Sequence, residues 1–190
     1  MVFERFRYQA IDTSHVVGLR DRALISLMLF TFSRVGAGIE MDVLDYFPSK
    51  KRWWVRLHEK NGKEHEMPAH SKLEEHMDAY LKAAGIRELT NTPLFRTTRG
   101  RTRELTENRM TQPDVFRMVR RRTAAAGIAT AIGCHSFRAT GITNYVQHGG
   151  ILEKAQQMAA HSSPRTTKLY DRSHDEVTVE EVQKIWWDGI

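Results

Sequence analysis

The chain contains almost no cysteine and no long apolar run. Cys134 is the only cysteine among 190 residues, which excludes an intrachain disulfide and a cysteine metal cluster. The most apolar stretch, ALISLMLFTF, has ten residues, about half of what a membrane-spanning helix needs. The segment MVFERFRYQA lacks the apolar core of a secretory signal. These absences predict a protein of the reducing cytoplasm without a membrane anchor.

Positive charge is the clearest bias in the composition. Lysine and arginine number 29 against 23 acids, which gives a net charge of +6 and an isoelectric point near 9.6. Residues 96–122 alone carry nine arginines and three acids. Because the guanidinium fork matches phosphate oxygens, this stretch favours a polyanionic partner. A solvated basic face is the alternative.

The stretch RWWVRLHEKNGKEHEMPAH predicts a β-hairpin. Apolar and polar residues alternate from Trp53 to Leu57, as expected for a half-buried strand. The Asn-Gly pair that follows is a strong signal for a two-residue type I′ turn. The pattern therefore places Lys60 and Lys63 on either side of the tip of a two-stranded finger.

Helical patterns account for most of the remaining chain. Ser71 with Glu74 predicts a capping box at the start of one helix, and Gly85 predicts its end. The predicted helices lie at about 17–32, 71–84, 113–126, 135–148, 151–160 and 178–187. The patterns predict a mostly α protein with a small antiparallel β-sheet (α+β). Its organisation would be one domain over residues 1–175 and a C-terminal amphipathic helix over 176–190.

Three residues on two predicted helix ends are candidates for an anion site. In HSFRATG, His135 and Arg138 are three positions apart, so both project from one helix face towards the same point. The alternative is a capping histidine and a surface arginine. Arg34 follows the apolar helix directly, where burial without a partner is costly. The alternative interpretation of Arg34 is a cation that interacts with the dipole at the end of the helix.

Lys60, His161 and Tyr170 complete the candidate set. Taken singly, they are a turn lysine, a helix-capping histidine and a packing tyrosine. Taken with the two arginines and His135, they are the parts of a metal-free attack on a phosphodiester. Arginines grip the non-bridging oxygens, a tyrosine attacks once a base or nearby cations help it lose its proton, and a lysine protonates the leaving oxygen.

This set, in this order, resembles the tyrosine recombinase (phage-type integrase) family. The family pattern is an arginine after an apolar helix, a hairpin lysine, His-x-x-Arg, a histidine or tryptophan, and then the tyrosine. HSFRATGIT matches the third part, and MAAHSSPRTTKLY has histidine 23 residues after the arginine and tyrosine nine further on. Lys60 stands eight residues ahead of Pro68, as the family lysine does, and Lys63 is the fallback. The resemblance covers about residues 15–172.

The resemblance implies site-specific DNA recombination or integration by strand cleavage and rejoining. Tyr170 would attack a DNA phosphate to give a 3′-phosphotyrosine and a free 5′-hydroxyl, while the two arginines stabilise the pentavalent phosphorus. His135 would act as base or hydrogen-bond partner, Lys60 would protonate the 5′ oxygen, and His161 would hold a phosphate oxygen. No cofactor and no metal are implied. The implied catalytic residues are Arg34, Lys60, His135, Arg138, His161 and Tyr170.

Two departures from the family pattern stand out. The family has an acid three residues after the first arginine, where this chain has Ala37. Glu40 or Asp42 is expected to replace it, or the support is absent. The family also carries an N-terminal helical domain that clamps DNA, and we expect this domain to be absent here.

The resemblance also predicts partners and leaves two alternatives open. Expected partners are double-stranded DNA and, on it, three further protomers, in the cytoplasm of a bacterium and without a membrane. The C-terminal helix is expected to dock on its own domain or on a neighbour. The alternatives are a type IB topoisomerase, which relaxes supercoils, and a catalytically silent DNA-binding relic of a mobile element. Candidates for DNA contacts are Lys63, Arg96, Arg99, Arg101, Arg103 and Arg121.

Overall fold

A computed structural model of the chain describes residues 11–59, 62–128, 132–160 and 179–186. Within these ranges lie seven α-helices, one 3-10 turn at Val43–Asp45 and five strands. The helices are α1 Val16–Phe30, α2 Val35–Ile39, α3 Ser71–Ala84, α4 Gln112–Ala125, α5 Cys134–Gln147, α6 Leu152–Met158 and α7 Val179–Gln183. The strands are β1 Tyr46–Ser49, β2 Arg52–His58, β3 Glu64–Pro68, β4 Arg96–Thr98 and β5 Leu105–Arg109.

The strands form two small antiparallel sheets. One has the order β1-β2-β3, and the other consists of β4 and β5. The prediction of a mostly α protein with a small antiparallel sheet is confirmed. The sequence patterns indicated the β2–β3 hairpin but not β1 or β5.

The connection between β2 and β3 differs from the predicted two-residue turn. His58 pairs with Glu64, and the Glu59 amide donates to the Lys63 carbonyl at 2.8 Å. Five residues, 59–63, separate the two strands, and the observed register differs by one residue from the register that would pair Lys60 with Lys63 across an Asn-Gly turn. Gly62 has a φ of 70°, a left-handed conformation that favours glycine and that is common at the end of three-residue hairpin loops.

Helix α1 is the centre of the core. It is buried on nearly every side from Ala23 to Phe30 and packs against α3 and α5. A helix that is apolar all round is expected in such a position. It ends at Phe30, earlier than predicted, because the Thr31 hydroxyl donates to the Leu27 carbonyl at 2.6 Å and Phe32 adopts a left-handed φ of 54°. This reversal of direction starts the segment that carries Arg34.

A histidine, rather than the predicted serine, caps α3. The His70 Nδ1 accepts from the Lys72 amide at 3.1 Å, which leaves Nε2 to donate to the Ile185 carbonyl at 3.0 Å. The ring also stacks on Phe30, with 4.2 Å between centroids. Ser71 is the first residue of the helix, so the predicted capping box was wrong by one position.

The C-terminal helix packs against its own chain. Val182 and Ile185 are buried, the Tyr145 hydroxyl donates to the Glu181 carboxylate, and Trp186 stacks on His148. These contacts place α7 beside the ends of α3 and α5. Among the described helices, none combines the length and apolar character needed to cross a bilayer.

Two buried histidines predict a loss of stability in acid. Burial lowers the pKa of both His70 and His76 to about 4, whereas the unfolded chain binds these protons near pH 6.5. The unfolded state therefore gains protons first, and the free energy of unfolding should fall between about pH 6.5 and 4, by up to about 1.4 kcal/mol per pH unit for each histidine. Denaturant titrations at pH 7 and pH 5 measure this fall, and His70→Gln should remove the part of it that His70 contributes. An unchanged pH dependence in that variant would contradict the assignment.

Candidate active site

Arg34 lies at the junction between α1 and α2. It has an extended backbone and is the N-cap residue of α2. Its side chain is 39% exposed, and Nη1 donates to the Glu59 carboxylate at 2.8 Å. Glu59 itself is only 6% exposed in its side chain. The first predicted arginine is therefore held from the end of β2 while part of its guanidinium faces solvent.

Arg138 is held by two backbone carbonyls. It is 3% exposed, and its guanidinium donates to the Phe32 oxygen at 2.5 Å and to the Ala159 oxygen at 2.7 Å. One contact lies in the α1–α2 junction and the other at the end of α6. Arg138 thus joins the segment that carries Arg34 to the segment that leads to His161.

A close helix crossing makes the position of Arg138 possible. Gly141 lies one turn after Arg138 on α5, and a Cβ added there would lie 2.2 Å from the Leu29 carbonyl oxygen and 2.7 Å from the Phe32 ring. Any larger residue would push α5 away from α1. The glycine in HSFRATG therefore brings Arg138 within reach of the Phe32 carbonyl.

The two arginines lie close enough to interact. Burial, and then the positive charge of Arg34, lower the pKa of Arg138, while the negative charge of Glu59 acts in the opposite direction. Two cations held together in a partly buried site are an arrangement suited to an anion with several oxygens. The structure thus brings together Arg34 and Arg138, which are 104 residues apart in the chain.

The other predicted site residues fall into two groups. His135 is exposed in the first turn of α5, one turn before Arg138. Lys60, His161 and Tyr170 lie outside the described residues, and their roles stay predictions. His161 follows the Ala159–Ala160 turn whose first carbonyl Arg138 binds.

The expected replacement for the acid at position 37 was wrong. Both Glu40 and Asp42 face Arg109, whose guanidinium lies 3.9 Å from the first and 2.5 Å from the second. Sequence reasoning missed Glu59. A signal was available, since Glu59 continues the inward alternation of Val55 and Leu57. An acid at a core-facing position needs a buried cation or hydrogen-bond donors as partners.

The cations proposed for DNA contacts differ in their exposure to solvent. Arg96 is 6% exposed and donates to the Pro93 carbonyl at 3.2 Å and to the Thr92 hydroxyl at 2.7 Å. It supports the loop before β4 and is not a surface residue, so its proposed contact with DNA is withdrawn. The exposed members of the set are Lys63, Arg99, Arg101, Arg103 and Arg121. Arg121 also lies 3.4 Å from the buried Asp21 carboxylate.

Comparison with known proteins establishes the family. The model of the phage integrase family matches residues 7–176, and the chain belongs to this family. Tyrosine recombinase XerD of Mycobacterium leprae is 26% identical over 175 residues, covering 88% of this chain and 51% of the relative. Tyrosine recombinase XerC of Thermodesulfovibrio yellowstonii is 28% identical over 159 residues, covering 80% and 49%. The chain spans about half the length of the curated relatives it matches.

Solved structures show the same fold. The XerA recombinase superposes with a TM-score of 0.68 at 21% identity, covering 97% of this chain and 61% of that one. The lambda integrase catalytic core superposes with a TM-score of 0.62 at 20% identity, covering 84% of this chain and 92% of that core. The resemblance inferred from the motifs is therefore confirmed at the level of family and fold.

Proposed function

We propose that this chain cleaves and rejoins DNA strands in site-specific recombination, through a 3′-phosphotyrosine intermediate. The observation that carries the proposal is the pair of arginines, Arg34 and Arg138, which converge from distant segments and are held by fixed partners. A guanidinium has five N–H donors. Among the described residues, these contacts use one N–H group of Arg34 and two of Arg138, and the remaining N–H groups are the ones we propose for phosphate oxygens.

The proposed chemistry combines this anion site with the roles that the family resemblance implies for Tyr170, Lys60, His135 and His161. The Tyr170 oxygen forms a bond to phosphorus, and the bond from phosphorus to the 5′ oxygen breaks. The proton of the tyrosine passes to a base, for which His135 is the candidate, and Lys60 supplies a proton to the leaving oxygen. The arginines stabilise the charge on the non-bridging oxygens, and His161 holds one of these oxygens. Attack by a partner strand's 5′-hydroxyl reverses the step, so the bond energy is conserved.

A covalent-trapping experiment tests the reaction. The probe is a pool of nicked duplexes of randomised sequence, in which cleavage next to the nick releases a short strand that is lost by diffusion. The full 190-residue chain should form a denaturant-resistant adduct with a subset of sequences. Absence of any adduct would overturn the proposal. Relaxation of a supercoiled plasmid of arbitrary sequence would instead indicate a topoisomerase.

Duplex DNA and further protomers are the proposed partners, in a bacterial cytoplasm. A XerH site-specific recombinase has been solved bound to its difH substrate, and a lambda integrase tetramer bound to a Holliday junction. For this chain we propose four protomers on two duplexes, which its membership of the family supports. The mass of the complex on a two-site duplex measures this assembly.

Three arginines in the β4–β5 loop are proposed to contact DNA away from the cleaved phosphate. The Arg20 guanidinium in the first half of α1 donates to the carbonyl of Arg96, the first residue of β4, so this strand begins beside the first half of α1. Arg34 follows the other end of this 15-residue helix, about 22 Å away. On a duplex lying along α1, this length corresponds to about six base pairs at 3.4 Å per base pair.

Replacing Arg99, Arg101 and Arg103 with glutamine should weaken DNA binding and reduce its salt dependence. If all three residues neutralise phosphates, the slope of log K against log salt falls by about 2.7. Fluorescence anisotropy across a salt series measures it. The matched control replaces Lys72, Arg87 and Arg117, exposed cations paired with Glu75, Asp78 and Asp114, and so removes the same charge. An equal change in slope in both variants would mean that net charge alone is responsible.

A further inference from the structure

We propose that Glu59 is the positioning residue of this active site, which orients Arg34 for the phosphate and fixes the end of β2 against it. This inference rests on the proposed function. It assigns a role to a residue outside the motif set, in a chain that has Ala37 where an acid was expected.

The burial of Glu59 makes its ion pair with Arg34 necessary. The Glu59 side chain is 6% exposed, and a buried carboxylate is strongly unfavourable unless it is paired. Its partner, Arg34, lies 25 residues earlier in the chain, at 2.8 Å. The alternation of β2 turns this side chain inward after Val55 and Leu57, so the carboxylate is buried where it meets the arginine.

The backbone of Glu59 is fixed as firmly as its side chain. Its amide donates to the Lys63 carbonyl at 2.8 Å and closes the hairpin. The next residue in sequence is Lys60. Glu59 is therefore held by the hairpin through its backbone and by Arg34 through its side chain. It couples the hairpin to the segment that carries Arg34. Without the carboxylate, a side chain as exposed as that of Arg34 is free to turn into solvent.

The charge of Glu59 also offsets the repulsion between the two arginines. Its negative charge raises the pKa of Arg138, while Arg34 lowers it. The carboxylate uses a hydrogen on Nη1 of Arg34, which leaves the other donors of the fork for phosphate. Glu59 therefore supports the arginines before DNA is bound and does not compete for all of their donors.

The test is the rate of adduct formation in the Glu59→Gln variant at saturating nicked duplex. We expect a decrease of about 10- to 100-fold, the range typical for partners that orient a functional side chain, with DNA affinity changed less than about twofold. Glu59→Asp keeps the charge but shortens the side chain. Its rate of adduct formation should lie between those of the wild type and Glu59→Gln. Glu66→Gln is the matched control, since it removes an exposed acid of the same hairpin that pairs with Arg56, and its rate should equal that of the wild type.

A double-mutant cycle separates positioning from a merely structural role. If Glu59 acts through Arg34, adding Glu59→Gln to Arg34→Lys should slow the reaction by less than about threefold further, because interacting residues are non-additive. Full additivity, or a wild-type rate in Glu59→Gln, would overturn the inference while the wild-type adduct still supports the proposed function. A wild-type chain that forms no adduct would overturn the proposed function itself, and this inference with it. Unfolding midpoints of all variants show that the compared proteins are folded.

Discussion

Replacing Tyr170 with phenylalanine is expected to abolish the covalent adduct. The substitution removes one oxygen atom, the proposed nucleophile, and leaves the ring. Because no bond to phosphorus can form without it, adduct formation should fall by more than about a thousandfold, to background. Non-covalent binding to the same nicked duplexes should persist, since the arginines remain. Denaturing gels and anisotropy measure the two properties on the same samples.

Tyr46 provides the matched control for this experiment. Its ring is buried and stacks on Trp53, with 4.5 Å between centroids. Its hydroxyl has no hydrogen-bond partner among the described residues. Tyr46→Phe therefore removes a buried polar atom at little or no cost and should retain full adduct formation. An adduct formed by Tyr170→Phe at the wild-type rate would show that another residue is the nucleophile.

Replacing Arg138 with lysine is expected to reduce cleavage by about 10²- to 10³-fold. Removing a preorganised donor from a charge-stabilising site typically has an effect of this size. Lysine keeps the positive charge, but its single ammonium cannot reproduce a planar fork that contacts the Phe32 and Ala159 carbonyls and offers further N–H groups to the proposed phosphate. Single-turnover adduct formation measures the rate. The DNA affinity should change much less than the rate.

A second buried arginine separates chemistry from folding in this experiment. Arg20 is 2% exposed, donates to the Arg96 carbonyl at 2.6 Å and pairs with Asp21. It lies near the start of α1, at the far end of this helix from Arg34. Arg20→Lys should lower the unfolding midpoint at least as much as Arg138→Lys, yet the folded protein should cleave normally. If both variants lost cleavage in proportion to stability, Arg138 would be only a structural residue.

Local patterns were sufficient for six of the seven described helices, all except α2, and for the motif residues His135 and Arg138. His135 and Arg138 belong to one helix because His-x-x-Arg within HSFRATG has both helical spacing and helix-forming residues. The same holds for the apolar run that became α1. The shared site of Arg34 and Arg138 was also predictable, although only through the resemblance, because no local rule joins residues 104 positions apart.

The hairpin shows where a strong local signal is overruled. The Asn-Gly pair favours a two-residue turn, but that register would pair Lys60 with Lys63. The observed register pairs Val55 with Met67, two buried residues, and continues inward to Glu59. Because a slip of one residue would turn one strand's buried side chains to the other face, burial of β2 and β3 decides the register, and the loop adapts with Gly62.

The residue types of this chain, read in order, were enough to indicate the class of chemistry, the α+β fold and the two arginines. They could not indicate which partner each charge has. The sequence does not distinguish the carboxylates of Glu40, Asp42 and Glu59 as possible partners of Arg34. In the structure the first two pair with Arg109, and of the three only Glu59 contacts Arg34. Likewise, Arg96 is one of nine arginines in its stretch, but it is buried. An ion pair depends on distance and desolvation, and both are properties of the folded path of the chain rather than of the order of its residues.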